Sequence, residues 1–76
     1  MNTYSHHYDT TNRIIDYEMG HLDDKGTIRL FSELLKTGMA WTLQGHYGRT
    51  ASALIEDGWL ERDGTYTDKV EENGLT

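Results

Sequence analysis

The fold of this chain is expected to depend on one stretch, Trp41-Thr42-Leu43-Gln44-Gly45-His46-Tyr47-Gly48-Arg49-Thr50-Ala51. Two glycines flank His46 and Tyr47, and glycine lets the backbone turn where a Cβ atom would clash. The residues that follow have the three- and four-residue spacing of an apolar helix face, at Ala51, Leu54 and Ile55. The sequence therefore predicts a loop that leads into a helix ending at Gly58.

The same stretch contains the candidate ligand-binding residues. Arg49 and Thr50 are predicted to lie in the first turn of the helix, where free N–H groups and the helix dipole attract anions. The segment also supplies rings that can stack on a base, although it lacks the spacing of a phosphate-binding P-loop. The candidate ligand-binding residues are Gln44, His46, Tyr47, Arg49 and Thr50. The alternative is a structural corner whose aromatic residues are core and whose arginine is solvated.

Two further helices are predicted before this stretch. The first follows the possible N-caps Asp9-Thr10-Thr11, has an apolar stripe at Ile15 and Met19, and ends before Gly20. The second follows the pair Asp23-Asp24 and ends at Gly38. Its apolar residues recur at helical spacing: Ile28, Leu30, Phe31, Leu34 and Leu35.

A β-hairpin is predicted after the third helix. Asp63-Gly64 separates two short β-prone runs, residues 59–62 and 65–67, and both turn residues tolerate a positive φ. The expected fold is therefore mainly α, with three to four short helices and a small C-terminal β-hairpin. Residues 9–67 are predicted to form a single domain between a mobile arm, residues 1–8, and a frayed tail, residues 68–76.

The composition limits the class of protein. With 7 basic and 13 acidic residues the net charge is −6, which disfavours contact with nucleic-acid phosphates. The absence of cysteine excludes disulfides and thiolate metal sites and is compatible with a reducing cytoplasm. No apolar run is long enough for a membrane span, and no signal peptide is expected. A chain of 76 residues has a small core, so a homo-oligomer is expected.

Catalytic and metal sites are not predicted. His6 and His7 stand beside Asp9, but adjacent histidines point in different directions and no third ligand has helical spacing. A hydroxyl nucleophile would need a base and a carboxylate in one pocket, and the spacing of Thr50, His46 and Asp57 does not bring them together. We therefore expect a protein that is not an enzyme and has no cofactor.

The second half of the chain resembles a winged helix-turn-helix. The resemblance is carried by Leu54-Ile55-Glu56-Asp57-Gly58-Trp59-Leu60-Glu61-Arg62, which leads from the third helix into the predicted hairpin. It implies three helices with a hairpin and, as the alternative function, a DNA-binding regulator. A helix that reads a DNA groove needs several Arg, Lys, Asn or Gln residues. Here the outer face of the third helix carries one cation, Arg49, and two carboxylates, Glu56 and Asp57, so nucleic acid is not the expected partner.

Residues 13–60 are similar to a family of small uncharacterised bacteriophage proteins. The most specific part of the similarity is the tryptophan–leucine–glutamine–glycine–histidine–tyrosine–glycine–arginine–threonine–alanine string within residues 41–51. The resemblance implies a phage origin, a location in the cytoplasm of the host bacterium, and a non-catalytic accessory protein that inhibits a host defence system by binding.

Two kinds of target remain open for such an inhibitor. One is a nucleotide second messenger of the host, sequestered by the ligand-binding residues of the central stretch. The other is a host defence protein, which the chain would contact through exposed aromatic residues and acidic helix ends, since aromatic residues often anchor interfaces. The candidate interface residues are Trp41, Trp59 and Tyr66.

Overall fold

The computed structural model describes residues 3–75 of the chain and the side chains of residues 10–75. The mainly helical class is confirmed. In this part of the chain the elements are α1 (Thr3–Glu18), α2 (Asp24–Thr37), a 3-10 helix (Met39–Trp41), α3 (Gly45–Glu56) and α4 (Asp68–Glu72). None of these helices combines the length and the apolar character that crossing a bilayer requires.

Helix α2 lies at the centre of the core. The Asp23 carboxylate accepts a hydrogen bond from the Gly26 N–H at 2.8 Å, and Gly38 ends the helix with φ 81°, so both predicted end signals are confirmed. All five apolar residues predicted for this helix are buried. Among the described side chains, the buried core consists of Ile28, Leu30, Phe31, Leu34, Leu35, Ala40, Tyr47, Ala51, Leu60 and Val70.

Helix α1 packs on α2 through a different face from the one predicted. Ile14 and Tyr17 are partly buried against the core, whereas Ile15 is 47 % exposed and Met19 is 62 % exposed. The predicted inner stripe of Ile15 and Met19 is therefore wrong. The pairs Ile14–Tyr17 and Ile15–Met19 both have helical spacing. The pair that faces inward includes Tyr17, whose ring makes an edge-to-face contact with Phe31, with centroids 5.3 Å apart.

Helices extend past both predicted ends of the domain. Helix α1 begins at Thr3, so the expected N-caps at residues 9–11 lie inside it. Whether residues 1–8 form a mobile arm stays a prediction, because the side chains of residues 1–9 lie outside the described ones. At the other end, α4 occupies residues 68–72 and its Val70 is fully buried in the core. The expectation of a frayed tail from residue 68 onward is therefore corrected.

The predicted β-hairpin is reduced to a tight turn. A single antiparallel bridge joins Leu60 and Tyr66, and no longer strand occurs within residues 3–75. Gly64 has φ 91° but Asp63 does not have a positive φ, so the two-residue hairpin turn is not formed. The Thr67 N–H donates one further hydrogen bond to the Trp59 carbonyl oxygen at 3.2 Å, but Thr67 is already the N-cap of α4 and the pairing ends there. The winged-helix-like hairpin is therefore not supported.

This turn is fixed to α2 by a buried hydrogen bond. The Ser32 hydroxyl donates to the Gly64 carbonyl oxygen at 2.6 Å, and Ser32 is the only buried polar side chain within residues 10–75. A Cβ atom on Gly64 would overlap the Ser32 carbonyl oxygen and lie 2.8 Å from Lys36 Cγ. The turn therefore approaches α2 more closely than any residue with a side chain would allow.

Candidate functional site

The glycine-flanked part of the central stretch, residues 45–51, is the beginning of a helix and not a loop, and residues 42–44 form a short connection before it. Gly45 and Gly48 both lie in α3, and neither has a positive φ. Arg49 and Thr50 therefore lie beyond the four residues whose N–H groups are free, and the predicted anion site in the first turn does not form around them. Gln44 is the exposed N-cap residue, and its side chain makes no capping hydrogen bond.

Tyr47 belongs to the core. Its side chain is 1 % exposed and packs against Phe31, with ring centroids 6.1 Å apart. Its hydroxyl donates to Glu18 Oε2 at 2.5 Å and so joins α3 to the end of α1. Burial, and then the hydrogen bond to the Glu18 carboxylate, raise the pKa of Tyr47 well above its usual range. The predicted role of Tyr47 in stacking on a base does not fit this position.

His46 and Thr50 face helix α1. The imidazole of His46 is stacked with the ring of Tyr17, with centroids 6.4 Å apart, and the Thr50 and Tyr17 hydroxyl oxygens are 3.4 Å apart. Asp57 lies at the opposite end of α3 as its C-cap. Three of the five candidate ligand-binding residues thus make packing contacts between helices, in agreement with the structural corner that the sequence left open.

Arg49 lies on the outer side of α3, in an open groove of about 500 Å³. We call this surface the α3 groove, and it is lined by Trp41, Gly45, Gly48, Arg49, Ser52, Ala53 and Glu56. Six of these seven residues recur at three- and four-residue spacing on the face of α3 opposite the buried Tyr47 and Ala51. The groove is therefore an open helix face, bordered by Trp41, rather than an enclosed pocket.

The walls of the α3 groove are formed by Trp41 and Arg49. The indole of Trp41, 45 % exposed, stands beside Gly48, where a Cβ atom would lie 3.6 Å from the ring. The guanidinium of Arg49 reaches back over the start of the helix, so that Nη1 would lie 3.2 Å from a Cβ on Gly45. The middle of the face, at Ser52 and Ala53, carries only small side chains.

A second cavity lies between the start of α2 and the end of α3. We call it the Trp59 notch; its volume is about 180 Å³ and it is lined by Asp24, Thr27, Ile28, Leu54, Trp59 and Leu75. The Lys69 ammonium lies 4.2 Å from the centroid of the Trp59 ring and donates a hydrogen bond to the Asp57 carbonyl oxygen at 2.7 Å. These contacts fix the indole, so the notch has a defined wall.

The three candidate interface residues are separated by the fold. Trp41 is in the α3 groove, Trp59 is in the Trp59 notch, and Tyr66 is in the bridge with Leu60, half-buried against the core. Sequence reasoning missed most of the notch. The sequence marks Asp24 only as a helix-start residue, and nothing local to Leu75 indicates that it meets residues of α2 and α3.

The elements around the notch are rich in exposed carboxylates. Asp24 lines the cavity itself, and Asp57 is two residues before Trp59. Other exposed acidic residues in the flanking elements are Asp23, Asp68, Glu71 and Glu72. An apolar cavity beside such residues suits a partner that combines an apolar side chain with positive charge.

The described side chains do not form a metal site. No group of three or more His, Asp or Glu residues that could hold a metal ion occurs among residues 10–75. His21 and Asp16 form one exposed pair at 3.9 Å. His6, His7 and Asp9, weighed as a metal candidate in the sequence, lie outside the described side chains.

The chain belongs to the family described as Domain of unknown function (DUF7417), which matches residues 5–74. No curated protein and no solved structure matches the chain. The match includes the residues that line the α3 groove and all those that line the notch except Leu75. The family description assigns no activity, so a function has to be argued from these surfaces.

Proposed function

We propose that this chain is a non-catalytic phage accessory protein that inhibits a host defence system by binding one of its proteins at the Trp59 notch. The phage origin rests on the resemblance carried by residues 13–60. The binding mode rests on one observation, an apolar notch of about 180 Å³ with a carboxylate in its lining. This combination selects a protein partner by shape and by charge together.

The notch accepts one large apolar side chain of the partner. Ile28, Leu54 and Trp59 provide apolar walls, and a side chain seated among them would be removed from water. Such a central anchor carries much of the free energy of binding in many interfaces. Asp24 would then pair with a lysine or arginine beside the anchor. The net charge of −6 increases the rate of encounter with a basic surface.

A nucleotide target is less well supported than a protein target. Tyr47 is buried and donates to Glu18, so it does not present a ring for base stacking. The α3 groove around Arg49 is open, whereas small-molecule sites usually cover most of the ligand surface. A thermal-shift screen with linear and cyclic nucleotides decides this point. A ligand at a free concentration of about 100 times its Kd raises the free energy of unfolding by about 2.7 kcal/mol. In a small domain this raises the midpoint temperature of unfolding by many degrees.

A DNA-binding regulator is the alternative function. The order of α2, a short 3-10 helix and α3 favours it, because helix-turn-helix proteins place the helix after such a turn in the major groove. The outer face of α3, however, combines Arg49 with Glu56 and small residues, and offers few donors to base edges. Retention of the chain on duplex DNA at low salt, lost as salt is raised, would favour this alternative.

The decisive experiment measures phage plating on bacteria that carry a defence system and express this chain. We expect the wild-type chain to restore plating and Asp24→Lys to abolish that effect, because the substitution places a cation in the notch. Glu33→Lys is the matched control, since it makes the same change of charge at an exposed position of α2 that does not line the notch. If Asp24→Lys restored plating as well as wild type does, the notch would not be the binding site.

A further inference from the structure

We propose that the α3 groove is the interface with a second copy of this chain, in which the two α3 helices pack antiparallel about a two-fold axis close to Ser52. This surface is separate from the Trp59 notch, so the inference does not depend on the function proposed above. The expectation of a homo-oligomer came from the small size of the chain, and the structure supplies a specific surface for it.

The first argument is the shape of the exposed face of α3. Along the middle of the groove the side chains are those of Ser52 and Ala53, with Gly48 beside them. Small residues let two helix backbones come near the lower end of the usual 8–10 Å separation. Trp41 stands at the edge with 45 % of its surface exposed, and a helix seated in the groove would cover its indole.

The second argument is the arrangement of charge, which is self-complementary in one direction only. Arg49 and Glu56 are the charged residues that line the groove, and they are two turns apart on the same face. In an antiparallel pair centred near Ser52, each Arg49 faces the Glu56 of the other copy. In a parallel pair, arginine would face arginine and glutamate would face glutamate, which is repulsive.

The third argument is that, among the described residues, only the segment around Trp41 packs on this face, at its Gly48 end. The core side of α3 is occupied by Tyr47 and Ala51, and α1 contacts the side that carries His46 and Thr50. On the groove side, Arg49, Ala53 and Glu56 are exposed. A two-fold contact is the most economical closed arrangement for such a face, because one surface then serves both copies.

The test is the mass of the protein in solution, measured by sedimentation or light scattering over a wide range of protein concentration. We expect wild type to form dimers. Arg49→Glu and Glu56→Arg should each raise the dimer Kd on the order of tenfold or more, because each substitution creates like-charge contacts at both symmetric positions. The double variant, with both substitutions, should dimerise again because the charges are exchanged and remain complementary.

The double variant also removes an ambiguity, since it has the same net charge as wild type. Arg62→Glu is the control for a charge reversal at an exposed position outside the groove, and it should leave the dimer Kd unchanged. Far-ultraviolet circular dichroism establishes that each variant is folded. A wild-type chain that stays monomeric, single variants that dimerise as wild type does, or a double variant that fails to recover would each overturn the proposal.

A second measurement tests the position of the axis directly. The chain contains no cysteine, so Ser52→Cys introduces one thiol per copy. Close to a two-fold axis the two thiols should form a disulfide under mild oxidation, which requires Cα atoms within about 7 Å. Glu33→Cys, exposed on α2, is the control and should remain largely uncross-linked. Equal cross-linking at both positions would contradict the proposed axis.

Discussion

At Tyr47 a single phenol group connects the first and third helices. Its ring lies against Phe31 in the core, while its hydroxyl donates to Glu18 at the end of α1. The neutral phenol is the form that makes this hydrogen bond, and burial opposes ionisation, so the pKa of Tyr47 is raised. Stability should therefore depend on the protonation of this one group at alkaline pH.

We predict that stability decreases as the pH rises past about 10, the pKa of an unperturbed tyrosine. Above that pH the unfolded chain has released the Tyr47 proton while the folded chain still holds it, so ionisation favours the unfolded state. Below it, both states are protonated and this contribution is constant. Urea unfolding at a series of alkaline pH values measures the effect.

The Tyr47→Phe variant tests the assignment. Near neutral pH its free energy of unfolding should be about 1 kcal/mol lower than that of wild type, because the hydrogen bond to Glu18 is absent. From neutral to alkaline pH its free energy of unfolding should decrease less than that of wild type. Tyr66→Phe is the matched control, because it removes a phenol at the turn, away from Glu18. If wild type and Tyr47→Phe lost stability equally at alkaline pH, another group would be responsible.

At the scale of the elements, the turn after α3 is held on α2 at one point. The Ser32 hydroxyl donates to the Gly64 carbonyl oxygen, and Gly64 has a positive φ. Leu60 precedes the turn and Val70 follows it, and both are fully buried. The contact with α2 thus positions two core residues that come from a segment with almost no regular structure.

We expect Gly64→Ala to lower the free energy of unfolding by about 3 kcal/mol, since a Cβ atom there overlaps the Ser32 carbonyl oxygen and φ is positive. Gly20→Ala is the matched control. Gly20 also has a positive φ, of 78°, but a Cβ atom on it would meet nothing within 4 Å. Gly20→Ala should lower the free energy of unfolding by only about 1 kcal/mol, which is the cost of placing a side chain on a residue with a positive φ. Similar losses in the two variants, measured by denaturant unfolding, would show that the close approach to α2 is unimportant.

Local patterns predicted those elements in which every signal agreed. In α2 the N-cap at Asp23, the apolar spacing and the terminal Gly38 all indicate the same helix, and packing confirms each of them. In α1 the pairs Ile15–Met19 and Ile14–Tyr17 both have helical spacing, so periodicity alone did not identify the inner face. The contact of Tyr17 with Phe31 decides it, and that contact is tertiary.

At the scale of the whole molecule, the parts that sequence reasoning missed are those formed by distant segments. Helix α4 has five residues and one buried side chain, Val70, so it offers no periodicity to detect. The Trp59 notch combines Asp24, Leu54 and Leu75, which lie far apart in sequence. The sequence leaves open whether Tyr47 is buried, because glycine-flanked aromatic residues occur both in binding loops and in tightly packed corners.

The two tryptophans are fluorescent, and they lie on different surfaces of the protein. Trp41 is 45 % exposed at the edge of the α3 groove, whereas Trp59 is partly buried and lies beneath the Lys69 ammonium in the wall of the notch. A small dissolved quencher therefore reaches the first indole much more readily than the second. Emission from unlabelled protein thus separates the pairing of two copies, which would shield Trp41, from the seating of a foreign side chain beside Trp59.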